Sequence, residues 1–125
     1  MRVSVVGVHV LDTHVIGVES IPDGSDGQLV ETIRMSAAGT AGGTGLVLSR
    51  LGAEVASYGA VGDDMTAVTL MALLAEEGVD VTGLVRKPDH QTSAGRSSSA
   101  ARPRPAARRR AHRRCDHLAG RARAR

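Results

Sequence analysis

The sequence predicts a small α/β protein built on a parallel sheet, with a separate arginine-rich tail. Three observations carry that prediction. Short Val-rich runs alternate with longer helix-like segments through residues 1–94. A Pro-Asp-Gly-Ser-Asp-Gly sequence at 22–27 parts two half-apolar runs, as a turn would. The composition then changes at residue 95, after which Leu118 is the one large aliphatic residue.

The elements follow in order. Residues 2–11 (RVSVVGVHVL) are short and Val-rich, the pattern of a strand buried on both faces, and the run ends at Asp12. Residues 13–21 and 28–36 read as a hairpin hanging off that strand. Residues 40–51 read as a helix with Leu46, Leu48 and Leu51 as apolar positions and Gly52 as its C′ residue. Residues 54–61 (EVASYGAV) form the next strand, and Gly62-Asp63-Asp64 supplies a turn and an N-cap. Residues 65–77 read as the clearest helix: Met65, Val68, Met71 or Ala72, and Ala75 recur at three- and four-residue steps before Gly78. Residues 79–85 complete the series as a strand. Helices alternating with Val-rich strands predict parallel pairing through right-handed crossovers.

Charge sharpens the boundary. The 125 residues carry a formal net charge of +3 and a single aromatic residue, Tyr58. Residues 1–94 hold five cations against twelve carboxylates, a net −7, whereas 95–125 hold eleven arginines against Asp116, a net +10. The tail has one large aliphatic residue, Leu118, too little to offset ordering about 1–2 kcal/mol of backbone entropy per residue. The expectation is a folded segment over 1–94 and a disordered tail over 95–125. One cysteine, Cys115, forms no intramolecular disulfide. No signal-peptide pattern and no long apolar run is seen, so a cytoplasmic location is expected.

Three segments could carry chemistry. Gly39-Thr40-Ala41-Gly42-Gly43-Thr44-Gly45 opens a helix, where free N–H groups favour anionic or hydroxyl oxygens; the alternative is close helix–sheet packing. There is no Gly-Lys-Ser/Thr, which excludes a Walker A loop, and no dinucleotide fingerprint after a strand. Asp12, at the carboxyl end of the first strand, could accept hydrogen bonds from vicinal sugar hydroxyls, or could simply form a turn. Asp63-Asp64 reads first as a helix cap. His9 and His14 read as structural or solvated, and Ser93 as an ordinary polar residue near a strand.

In order, VVGVHVLD, the hairpin, AAGTAGGTGLVLSRLGAEVASYGAVGDD, LMALLAEEGVDVTGLV and QTSA resemble the N-terminal part of the PfkB family of carbohydrate kinases, ribokinase-like proteins, over residues 3–94. The resemblance implies a doubly wound α/β sandwich with a small β lid, of which this chain would carry a part. It implies transfer of the ATP γ-phosphate to a sugar hydroxyl with Mg²⁺. By position Asp12 would hold sugar hydroxyls, Ala38-Gly39 would stand for the family's Gly-Gly pair, and Thr40 and Gly43 would join the substrate site. The family's usual Asn falls on Gly43, so one polar sugar contact is missing. The lid strands would also make a homodimer contact.

The family's second signature, with its glycine-rich anion hole and catalytic Asp, has no counterpart: GAGD does not occur in these residues. A base must take the proton of the attacking hydroxyl, and an anion hole must stabilise the transferring phosphoryl. No catalytic residue is therefore assigned, the ATP site is expected to be mostly absent, and the chain is expected not to phosphorylate a sugar. The tail reads as a shifted reading frame of a GC-rich gene: moved by one base, GRSSSAAR becomes compatible with VVLPLRPD, the expected strand and turn. The rival reading is an acidic α/β module whose arginines bind nucleic acid or other polyanions non-specifically. His112, Cys115 and His117 have ligand chemistry, but three ligands in such an arm make no zinc site.

Overall fold

A computed structural model describes residues 1–18 and 27–100. Residues 22–26 of the turn expected at 22–27, the end of the first hairpin run at 19–21 and the tail beyond residue 100 lie outside the described residues. The described elements are β1 (Arg2–Val6), β2 (Val10–Val18), β3 (Thr32–Ala38), α1 (Thr40–Arg50), β4 (Glu54–Gly62), α2 (Met65–Glu76), β5 (Val79–Lys87) and β6 (Ala94–Ala100).

β1, β4 and β5 make a parallel sheet in that order, with Val3 opposite Val55 and Val55 opposite Val79. Each parallel step passes through a helix, the usual crossover between parallel strands. A second sheet has the order β3-β2-β6; β3 runs antiparallel to β2, and β6 runs parallel to it. The core joins Val5, Val55, Val61, Val79 and Leu84 of the first sheet to Leu11 and Ala37 of the second and to both helices.

Three expectations need correction. The Val-rich run at 2–11 is not one strand. It breaks at Gly7, whose φ of +153° is open to glycine, and resumes as β2 at Val10. Asp12 therefore sits inside β2 and not at the carboxyl end of the first strand. The hairpin survives as β2 and β3, shifted towards the N-terminus of the first run, with Asp12 opposite Ser36. The tail, expected without structure from residue 95, begins with β6, which pairs from Leu11–Ala94 to Val18–Ala100. Its arginine and serines at 96–99 are exposed. Composition counts side chains, whereas an open strand edge offers main-chain N–H and C=O groups that any sequence can pair.

The helices end where expected, at Gly52 (φ +86°) and Gly78 (φ +79°), but each buries a different stripe. α1 packs through Ala41, Gly42 and Gly45, while Leu51 is 78% exposed. A Cβ on Gly45 would lie 3.3 Å from Val5 and 3.6 Å from Val55; the glycines bring this helix close to the sheet. α2 buries Ala67, Leu70 and Leu74 completely, leaving Met65 and Val68 exposed. Their C-terminal ends are tied together: the Arg50 guanidinium pairs with the Glu77 carboxylate, and the Ser49 hydroxyl donates to the Glu77 carbonyl. Arg50 holds the Glu77 carboxyl below its usual range.

Candidate sugar site on the second sheet

The start of α1 is built around one carbonyl. Gly39 has φ +85°, and a side chain there would overlap the Val8 carbonyl oxygen, so only glycine lets β3 turn into α1 at this distance. That oxygen accepts from the Ala41 N–H (3.0 Å) and the Gly42 N–H (3.4 Å). The Val8 N–H in turn donates to the Thr40 hydroxyl oxygen at 3.2 Å. The glycine-rich helix start thus spends its Ala41 and Gly42 N–H groups on the Val8 carbonyl. The close helix–sheet packing expected as one reading of this segment is present at Gly39 and Gly45.

Asp12 faces a different surface. Alternation and register place Val10, Asp12 and His14 of β2 on one face with Ala38, Ser36 and Arg34 of β3 and Gly95 and Ser97 of β6. The Asp12 side chain is 21% exposed and its Oδ2 lies 3.3 Å from His14 Nε2 and 3.4 Å from the Ser97 hydroxyl. His14 Nε2 is also 3.2 Å from the Ser36 hydroxyl, and its Nδ1 is 2.7 Å from the Ser97 hydroxyl. Gly43 approaches this face from α1: a Cβ there would lie 3.8 Å from the Ala38 Cα, an ordinary contact. Ala38 thus follows Ser36, the partner of Asp12, along one face, and Gly43 lies against Ala38 from α1. Thr40 stands beside them with its oxygen already accepting from Val8.

Sequence reasoning missed the groups that hold this junction. His9 is 2% exposed. Its Nδ1 lies 3.1 Å from the Gly7 carbonyl and its Nε2 2.6 Å from the Ser57 hydroxyl. A neutral ring carrying its proton on Nδ1 satisfies both, donating to Gly7 and accepting from Ser57. Burial lowers the His9 pKa from 6.5, opposed by the Gly7 hydrogen bond. Asp64 does cap α2, accepting from the Ala67 N–H at 2.8 Å. It also accepts from the N–H (2.9 Å) and hydroxyl (2.8 Å) of buried Thr92, whose oxygen accepts from the Gly62 N–H. The Thr92 N–H, then the Ala67 N–H and the Thr92 hydroxyl, hold the Asp64 carboxyl below its usual range. Asp63 instead pairs with Arg86 at 2.7 Å. The Ser93 carbonyl accepts from the Leu11 N–H, a strand-edge role. The QTSA signal at 91–94 contained Thr92; nothing near Ser57 announced its partner 48 residues away.

Among the described residues no group of three or more His, Cys, Asp and Glu could hold a metal. The segment with His112, Cys115 and His117 lies outside the described residues.

The sequence matches the model of the pfkB family carbohydrate kinases over residues 2–97. This chain belongs to the pfkB family. No curated protein sequence matches it. Among solved structures, this pfkB chain is similar to a proposed ribokinase from Agrobacterium tumefaciens, at 29% identity and a TM-score of 0.70, over 79% of this chain and 32% of that one. It is also similar in fold to a ribokinase from Cryptococcus neoformans in complex with ADP (22% identity, TM-score 0.56, 79% of this chain and 30% of that one). A fructokinase with bound ATP from Xylella fastidiosa shares the fold at 24% identity and a TM-score of 0.60, over 78% and 29%. The chain spans about a third of the length of these relatives.

Proposed function

We propose that this pfkB chain carries the sugar-binding part of a carbohydrate kinase and does not itself transfer phosphate. The placement of Asp12 and Ala38 on one sheet face, with Gly43 of α1 against Ala38, is the observation that supports it. Asp12 accepts hydrogen bonds from sugar hydroxyls; the backbone of Ala38-Gly39 and the first turn of α1 bound the sugar from the other side. In the complete reaction ATP supplies the γ-phosphoryl group with Mg²⁺, and a base takes the hydroxyl proton. These 125 residues include no glycine-rich anion hole with its Asp. Calorimetric titration with D-ribose and D-fructose tests the reading. The purified chain is expected to bind one of them, Asp12→Asn to lose that binding, and ADP release to stay at background. Steady ATP-dependent turnover by the 125-residue chain overturns the inactivity, and absence of binding overturns the sugar site.

Ile33 and Met35 of β3, 59% and 52% exposed, lie on the face turned away from Asp12. They support a contact between two copies through the lid strands, which sedimentation of Ile33→Ser/Met35→Ser against the parent chain tests. The sequence from residue 95 we read as a shifted frame, and the DNA downstream of codon 94 decides it.

A further inference from the structure

We propose that Asp64 and Thr92 are positioning residues that set the register of β6 on β2, and so decide which β6 residue stands beside Asp12. β6 reads Ala-Gly-Arg-Ser-Ser-Ser-Ala, and residues 96–99 are exposed. Such a strand has no apolar face to hold it in one register. Its side-chain contacts with β2 run from the Ser97 hydroxyl to His14 Nδ1 (2.7 Å) and Asp12 Oδ2 (3.4 Å). They do not fix the register either, because Ser98 repeats the same hydroxyl one step on. The fixed point lies just before the strand. Thr92 is 7% exposed. Its N–H donates to Asp64 Oδ2 at 2.9 Å, and its hydroxyl donates to Asp64 Oδ1 at 2.8 Å. The Thr92 oxygen accepts from the Gly62 N–H at 2.9 Å. A side chain on Gly62 would overlap the His90 carbonyl oxygen, so the approach to β6 lies tightly over the end of β4. Asp64 is itself held as the cap of α2 by the Ala67 N–H at 2.8 Å. The chain is thus tied to the first sheet and to α2 at residue 92. One residue later the Leu11 N–H donates to the Ser93 carbonyl at 3.0 Å, and β6 begins at Ala94.

With Thr92 anchored, Gly95 falls opposite Asp12 and Ser97 opposite His14, while Arg96 falls opposite Thr13 on the other face. A slip of one residue exchanges the two faces of a strand. It would bring Arg96 opposite Asp12 in one direction and opposite His14 in the other. A guanidinium there would pair with the Asp12 carboxylate, so the slipped strand gains an ion pair. The anchorage at Thr92 is what holds that slip off. One consequence rests on the sugar-site reading above: the slipped Arg96 would occupy the carboxylate that receives the sugar hydroxyls.

The test traps the register by disulfide formation in the full chain carrying Cys115→Ser. Val15→Cys is combined in turn with Ser98→Cys, its neighbour in this register, and with Ser97→Cys or Ser99→Cys, which a slip of one would bring opposite it. A bridge closes only where both Cβ atoms share a face. In glutathione buffer, mass spectrometry is expected to find the bridge to position 98 and not to 97 or 99 while Thr92 is intact. Thr92→Val is expected to raise the bridges to 97 and 99 about fivefold relative to that at 98, the scale of one lost hydrogen bond. Thr92→Ser, which keeps the hydroxyl, is expected to return the parent pattern. Asp64→Asn, which keeps an acceptor for the cap, is expected to follow Thr92→Val, and it decides the matter if Thr92→Val loses its melting transition. Lost stability alone lowers all three bridges together; only a slip exchanges one for the others. If the folded variants keep the parent pattern, or if the three bridges form equally with Thr92 intact, the register role is overturned. Titration with D-ribose and D-fructose reads the consequence. Thr92→Val is expected to weaken the bound sugar, and Arg96→Ala in the same chain to recover it; failure to recover overturns the part given to Arg96. If the parent chain binds neither sugar, the sugar-site reading fails, and the register role is decided by the bridges alone.

Discussion

At the scale of single residues, the site is held by groups whose value depends on what lies across the fold. His9 is kept neutral by burial, so the unfolded chain binds more protons than the folded one as pH drops through 6.5. The stability His9 contributes is complete above that pH and is lost below it. Melting temperatures at pH 7.5, 6.5 and 5.5 should fall more steeply for the parent chain than for His9→Gln, which has no proton to gain. Gly39 is fixed by its φ and by the Val8 carbonyl, so Gly39→Ala should cost at least about 2 kcal/mol in denaturant unfolding. Gly43 is the opposite case. Its ordinary contact with Ala38 leaves room for a side chain, so Gly43→Asn should be neutral or stabilising by ~0.3 kcal/mol. If the sugar site is as proposed, the same change restores the polar contact the family pattern has there and tightens sugar binding. The glycines at 39 and 43 look alike in sequence; what differs is the carbonyl that approaches one of them.

At the scale of elements, termini were legible and faces were not. The stops at Gly52 and Gly78 and the cap at Asp64 follow from local backbone chemistry, and all three stand in the structure. The buried stripe of α2 does not, because Met-Thr-Ala-Val-Thr-Leu-Met-Ala-Leu-Leu-Ala is apolar almost all round and several stripes fit its period. The sheet selects Ala67, Leu70 and Leu74. Leu70→Ala should therefore cost about 2–5 kcal/mol by chemical denaturation, and Val68→Ala less than about 1 kcal/mol; equal costs would place the core on the wrong stripe. Asp64 links two elements, capping α2 and holding Thr92 of the approach to β6. Its carboxyl is depressed from 3.8, so the linked stability is present above that pH and lost as pH falls through the folded value. Asp64→Ala should lower the melting temperature at pH 7 and speed amide exchange around residues 90–93, with a smaller effect at pH 3.

At the scale of the whole molecule, both helices cover one face of the first sheet, and the other face keeps apolar groups in water. Val6 is 76% exposed, Val85 60% and Tyr58 44%, on strands that lie side by side. A patch of this kind associates unless covered. Light scattering of the chain should rise with concentration, and Val6→Thr/Val85→Thr should reduce it while leaving the sugar titration unchanged. By itself the sequence determined the α/β class, the order of strand, hairpin, helix, strand, helix and strand, the helix ends and the family, because these rest on periodicity, turn chemistry and ordered motifs along the chain. Only the tertiary structure decided that Gly7 breaks the first strand, that α1 spends its Ala41 and Gly42 amides on Val8, that β6 pairs with β2, and that Asp12, His14 and Ser97 meet on one face. Each of those depends on a backbone direction or a partner many residues distant, and local pattern carries no information about either.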